Sequence, residues 1–140
     1  RGGPGGGEAL GAEQPPGADD VRIASHAGLR SVARLLLAFL ESYAVVLRVL
    51  ERTPGRRRQS EVVVRCLAEA ERLFLRGVVS CYEARNRVTL ANALRAFRDM
   101  GLVEFPSPDD VRVPDDVLRS ERLIDRRLSI ERLIAAISGQ

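Results

Sequence analysis

The sequence predicts a mainly α-helical fold: a winged-helix-like unit of three helices plus a small β-hairpin, followed by a helical C-terminal tail. Three observations point there. Apolar residues recur at steps of three and four over Val32 to Leu50, Val63 to Phe74 and Leu90 to Met100, the period of helices buried along one face. Gly77 and Gly101 stand where two of these runs stop, as a left-handed helix C-terminus favours. Beyond Gly101 the pattern turns to alternation, Leu102 to Phe105 and then Val111 to Val113, around the loop Pro106-Ser-Pro-Asp-Asp110, which marks a hairpin.

Taken in order, residues 1–24 carry Gly2-Gly3-Pro4-Gly5-Gly6-Gly7 and Pro15-Pro16-Gly17. Such a segment has too little apolar surface to offset chain entropy, so a disordered linker is expected there. It also lacks the basic start and apolar centre of a signal peptide. Residues 25–140 are expected to form a single α-rich domain. Its first long helix opens at Ala27 or Ser31 and ends before Thr53-Pro54-Gly55. The inner stripe is Val32, Leu35, Leu36, Phe39, Leu40, Tyr43, Val46, Leu47 and Leu50. Leu37, Ala44, Val45 and Val49 widen that stripe until most of the circumference is apolar. A helix like this is buried on most sides or rests on lipid, and Glu41 and Arg48 keep it short of the roughly 20 apolar residues of a membrane span. A core helix is the expectation.

Ser60 with acidic Glu61 starts the second helix, which turns Val63, Val64, Leu67, Ala70, Leu73 and Phe74 inward and stops at Gly77. Ser80 then caps a short helix from Cys81 to Asn86. Thr89 opens a longer one with Leu90, Ala93, Leu94, Phe97 and Met100 on one face. The tail after Val117 places Leu118, Leu123, Ile124, Leu128, Ile130, Leu133, Ile134 and Ile137 among charges, the pattern of one or two amphipathic helices.

Composition narrows the function classes. The charged fraction of 29% and hydrophobic fraction of 45% are those of an ordinary globular domain. All 22 basic residues are Arg, a skew that a GC-rich coding sequence explains more simply than recognition does. A net charge of +3 spread over the whole chain is weak evidence for nucleic acid, which needs a concentrated basic face, and equally compatible with attraction to an anionic lipid surface. Cys66 and Cys81 are too few for a disulfide framework, and reduced thiols are expected. Near a helix start the Cys81 thiol could be acidified, yet no general base is identifiable beside it.

A winged helix can lay its third helix in a DNA groove, with Arg85, Arg87, Arg95 and Arg98 on phosphates and Asn92 on a base. Glu83 and Asp99 interrupt that set, and the wing loop is acidic. Solvated arginines are the better expectation, with Asn92 hydrogen-bonded across the helix packing. His26 has no second ligand at metal spacing. The glycines of 2–7 precede neither strand nor helix and have no Lys-Ser/Thr partner, so no phosphate loop and no cofactor are expected. Arg56-Arg57-Arg58, beside the wide apolar helix, is the candidate membrane contact, with guanidinium groups on lipid phosphates.

The stretch from about Leu35 to Phe105 contains an apolar helix with Glu41 and Tyr43 at its middle, a run ending in Gly77, the Cys81-Tyr82 segment, and an Asn92-Ala-Leu94 helix closing on Gly101-Leu-Val103. In these features it resembles the C-terminal region of the glycerol-3-phosphate and dihydroxyacetone-phosphate acyltransferase family. The resemblance implies an enzyme that moves an acyl group from acyl-CoA or acyl carrier protein to glycerol 3-phosphate, for phospholipid synthesis, as a peripheral protein at the cytoplasmic face of the cell membrane. Its catalytic signature, a His separated by four residues from an Asp, belongs to an N-terminal part of the family. Here Ser31 occupies the Asp position after His26, and no carboxylate orients the imidazole. The chain begins at Arg1 without an initiator Met, so a truncated reading frame or a fragment of a longer enzyme is expected, non-catalytic for want of that signature and with the N-terminal acyltransferase domain as its partner. The competing expectation is a free-standing winged-helix module that binds nucleic acid or a protein.

Overall fold

A computed structural model describes residues 18–80 and 82–139, with side chains from 28 onward except those of 82 and 83. Five α-helices and two short strands follow in the order α1 (Ala18–Leu50), β1 (Arg57–Arg58), α2 (Gln59–Leu75), a 3-10 turn (Tyr82–Arg85), α3 (Arg87–Asp99), β2 (Asp110–Val111), α4 (Asp115–Arg119) and α5 (Arg122–Ser138). The chain divides into two compact units, Arg1–Val32 and Ala33–Gln140. In the shorter unit the described residues are helical, starting at Ala18. Residues 18–24, expected to be linker, are therefore the first turns of α1; the remainder of the expected linker lies outside the described residues. In a run as short as 18–24 the acidic start Asp19-Asp20 suits a helix N-terminus, a signal that the Gly/Pro-rich composition before it obscures.

The larger unit holds the core. Val45, Val46, Leu47 and Leu50 of α1, Val62, Cys66, Ala70 and Leu73 of α2, and Leu90, Ala93, Leu94 and Phe97 of α3 are all buried together. Tyr43 meets Phe97 edge to face at 5.2 Å, tying α1 to α3. Val111, Val113, Val117, Leu123 and Ile130 close the core from the C-terminal segments, so the tail does form two helices packed on the rest.

Helix ends follow local chemistry. Gly77 has φ of 76° and Gly101 φ of 79°, and each ends its helix as expected. Val78 N donates to Leu73 O at 2.8 Å and Leu102 N to Phe97 O at 2.9 Å, the wrapped hydrogen bonds of a left-handed cap. The cap of α3 lies three residues before the expected one. Asn86, whose Oδ1 accepts from Val88 N at 2.8 Å and Thr89 N at 3.3 Å, is the cap in place of Thr89. Helix α2 has no side-chain cap at Ser60. Instead Gln59 N donates to Asp109 O, and Gln59 Nε2 donates to Pro108 O and Asp110 O.

Those bonds reflect the one sheet pairing that sequence alternation did not announce. β1 pairs antiparallel with β2, Arg57 opposite Val111 and Arg58 opposite Asp110. The expected hairpin survives as a bridge between Glu104 and Arg112, with N–H···O distances of 2.8 and 2.9 Å. The loop 106–110 thus lies between two partners, and the basic turn before α2 supplies the second.

Candidate functional site

Two surfaces carry the candidate residues that the sequence singles out, and a cleft lies apart from them. The basic turn is tied into the sheet. Arg56 Nε donates to Asp110 Oδ2 at 2.6 Å, and Arg57 pairs with Glu61 at 3.5 Å, while Arg58 is exposed. The Arg56 guanidinium holds the Asp110 carboxyl below its usual range, through the hydrogen bond first and charge attraction second. Each of these two arginines therefore shares its charge with an acid before it can meet an external anion.

The candidate DNA face is likewise occupied. Arg85 lies over the Phe74 ring at 3.9 Å and pairs with Glu71 at 2.6 Å. Arg98 lies over Phe105 at 4.9 Å and pairs with Asp99 at 3.2 Å. Asn92, expected across the helix packing, is exposed, and its Oδ1 accepts from Arg95 at 2.6 Å one turn away. Only Arg87, exposed near the start of α3, has the plain solvated setting. His26 lies in the backbone of α1 with its side chain outside the described set, and Cys81 lies outside the described residues. Cys66 is a free thiol in the core. Burial, aided by the nearby Glu69 charge, pushes that thiol up to about 12, so it is inert and structural.

The apolar stripe of α1 divides in a way periodicity does not reveal. Its second half is core, but Leu35, Leu36 and Phe39 are 60%, 46% and 51% exposed, which corrects their expected inward placement. In the shorter unit Val32 and Leu29 are exposed as well. Val64 of α2 is also exposed, and Val62 and Cys66 take its expected place inside. A period of about 3.6 residues per turn puts both sets on a helical stripe, and only the position of the neighbouring elements decides which is covered.

The arrangement missed at the sequence level is a cleft of about 650 Å³ between α1, the segment 77–80 and α5. Leu37, Ala44, Val45, Leu73, Val78, Val79 and Ile134 give it apolar walls. Glu41 lies in its wall, only 2% exposed. Both carboxylate oxygens accept from Ser80 N, at 3.1 and 2.9 Å, and Oε2 accepts from Ser80 Oγ at 3.1 Å. The buried charge is thus held by the backbone that leads into the 3-10 turn.

Ion pairs fix the opposite wall. Arg48 donates to Glu131 at 2.8 Å. Arg127 binds both oxygens of Glu51, at 2.6 and 3.1 Å, and reaches Glu131 at 3.2 Å. The hydrogen bond to Glu51 raises the Arg127 guanidinium further above its usual value. Because residue 48 meets 131 while 51 meets 127, α5 runs antiparallel to α1. The lining holds neither His nor Cys, and no group of three or more His, Cys, Asp or Glu able to hold a metal occurs among the described residues. No described helix is long and apolar enough to cross a membrane.

Comparison with curated proteins and with solved structures returns no match for this chain. A family model does match, across residues 8–105, which include α2, the 3-10 turn and α3 in full and leave α4 and α5 outside. That span, well over half of the chain, places Glu41 and Ser80 inside the family region and the ion-paired α5 beyond it. The chain belongs to the glycerol-3-phosphate acyltransferase C-terminal region family.

Proposed function

We propose that this chain is the supporting, non-catalytic C-terminal portion of a glycerol-3-phosphate 1-O-acyltransferase. The family match over 8–105 carries the reading. In the intact enzyme the acyl group would pass from acyl-CoA or acyl carrier protein to the sn-1 hydroxyl of glycerol 3-phosphate, as the first acylation of phospholipid synthesis. This portion would brace the catalytic domain. Supporting that role, Leu35, Leu36 and Phe39 are large apolar side chains left exposed on α1, as a surface awaiting a partner would be, while Ser31 stands where the carboxylate that would orient His26 as a general base is needed.

The same reading puts the protein peripherally on the cytoplasmic face of the membrane, with Arg56, Arg57 and Arg58 toward lipid phosphates. Arg58 is exposed and lies opposite Asp110 in the sheet, while Arg56 and Arg57 would have to exchange Asp110 and Glu61 for lipid. A nucleic-acid role gains no support, because Arg85 and Arg98 are spent on rings and carboxylates.

The test is acylation of labelled glycerol 3-phosphate by a glycerol-3-phosphate acyltransferase catalytic domain, with and without this chain. The chain alone should give no product, and its addition should raise the activity or thermal half-life of the catalytic domain. Product from the chain alone, or indifference of the catalytic domain, would overturn the proposal. Flotation with anionic liposomes tests the membrane contact separately, with Arg58→Gln expected to reduce binding.

A further inference from the structure

We infer that the cleft between α1 and α5 is a binding site for a single unbranched acyl chain, whose carbonyl end accepts a hydrogen bond from Arg48. The inference rests on the acyltransferase reading for the source of the chain, and on the cleft's own geometry for its shape. From Leu37 to Arg48 the cleft follows α1 for three turns, about 16 Å at 1.5 Å per residue. Its volume of about 650 Å³ lies within the range of small-molecule sites. Ala44 and Ala135 keep the facing helices from filling it. A long apolar slot of this kind suits a flexible chain and not a compact polar molecule.

The charges along the slot select the same ligand. Glu41 has both oxygens engaged by Ser80, so it asks nothing of the occupant and repels a phosphate brought beside it. Glu131 adds a second negative charge. Arg48 supplies the cation of the lining, and Glu131 keeps Arg127 as a partner when Arg48 is shared. Arg48 and Glu131 are 26% and 29% exposed, leaving room for a head group to project into solvent. A carboxylate, ester or thioester carbonyl fits there, with the hydrocarbon laid toward Leu37. Free fatty acid, lysophosphatidate and acyl-CoA share that chemistry.

The experiment is calorimetric titration of the full chain with saturated fatty acids from octanoate to palmitate, below their micelle concentrations. Affinity should rise about fourfold per added methylene, the value of its burial, and level off once the slot is full. Ala135→Trp places a bulky ring in the slot from an exposed helix position and should weaken laurate by at least about tenfold without shifting the melting temperature. Arg48→Gln should weaken laurate more than dodecane. A tighter fit for lauroyl-CoA than for lauroyl lysophosphatidate names the acyl donor as the source, and the reverse names the product.

Absence of saturable binding, absence of chain-length dependence, or an Ala135→Trp variant that binds as the parent does would overturn the site. Failure here is separable from failure of the supporting role. A chain that binds no acyl group yet stimulates the catalytic domain loses the cleft and keeps the role; one that binds acyl chains without affecting that domain does the opposite.

Discussion

Replacing Glu41 by Gln tests a buried polar interaction that joins α1 to the segment before the 3-10 turn. The carboxylate is buried and takes three contacts from Ser80, at 3.1, 2.9 and 3.1 Å. Gln keeps the volume but offers one acceptor oxygen, and turns an N–H₂ toward a donor. Hydrogen bonds to a charged group contribute roughly 1.5–3 kcal/mol against about 1 kcal/mol for neutral ones. Ser80 is itself exposed, so water can satisfy its freed N–H and offset part of the loss. The expected destabilisation is about 2 kcal/mol, on the order of 10 °C in melting temperature for a unit of this size. Urea denaturation followed by far-UV circular dichroism measures it. Ser80→Ala removes only the hydroxyl and should cost about 1 kcal/mol. The double variant should fall short of additivity by at least roughly 0.5 kcal/mol, since the two residues share one network. A Glu41→Gln protein within about 0.5 kcal/mol of the parent, or strict additivity, would refute the assignment of this pair as a structural clasp.

Gly77→Ala and Gly101→Ala each force a side chain into positive φ, where the added Cβ would meet no atom within 4 Å; the cost is backbone strain alone, about 1 kcal/mol each by thermal melts. The acid limb of the stability curve should steepen through Asp110 and Glu69, whose carboxyls are lowered chiefly by hydrogen bonds from Arg56 and Arg72. A group with a lowered folded pKa contributes stability above its unfolded value, near pH 4, and loses it as the pH falls through the lowered one. Arg56→Gln should therefore narrow the difference in melting temperature between pH 6 and pH 3, as scanning calorimetry would show. Alkylation at pH 8 should leave Cys66 unmodified in the native protein and label it in denaturant, read by peptide mass mapping, because its thiol is pushed up to about 12.

Local rules carried the helix ends. Gly77 and Gly101 fit because a residue without Cβ is what a left-handed cap needs, and that requirement depends on nothing distant. Asn86 was legible by the same rule, but lies at the end of a polar run in which Thr89 offers a competing cap. The face of α3 was legible except at its end: Leu90, Ala93, Leu94 and Phe97 are buried as their spacing demands, while Met100, expected with them, is exposed. Asn92 was misjudged because a short amide on that helix has an arginine one turn away, and a local partner costs less ordering than a distant one.

The sequence by itself determined that the chain is helical, where α2 and α3 stop, that the tail is amphipathic and helical, and that the stretch to Phe105 is of the acyltransferase C-terminal kind. These rest on periodicity, capping and local motif, all of which act within a few residues. Only the tertiary structure decided that Leu35, Leu36 and Phe39 face outward while Val45 to Leu50 are covered, that β1 pairs with β2, and that Glu41 meets Ser80 beside an open slot under α5. Each of those joins residues dozens of positions apart, and which of two equally apolar helix faces is buried depends on what packs there, a quantity no window along the chain contains.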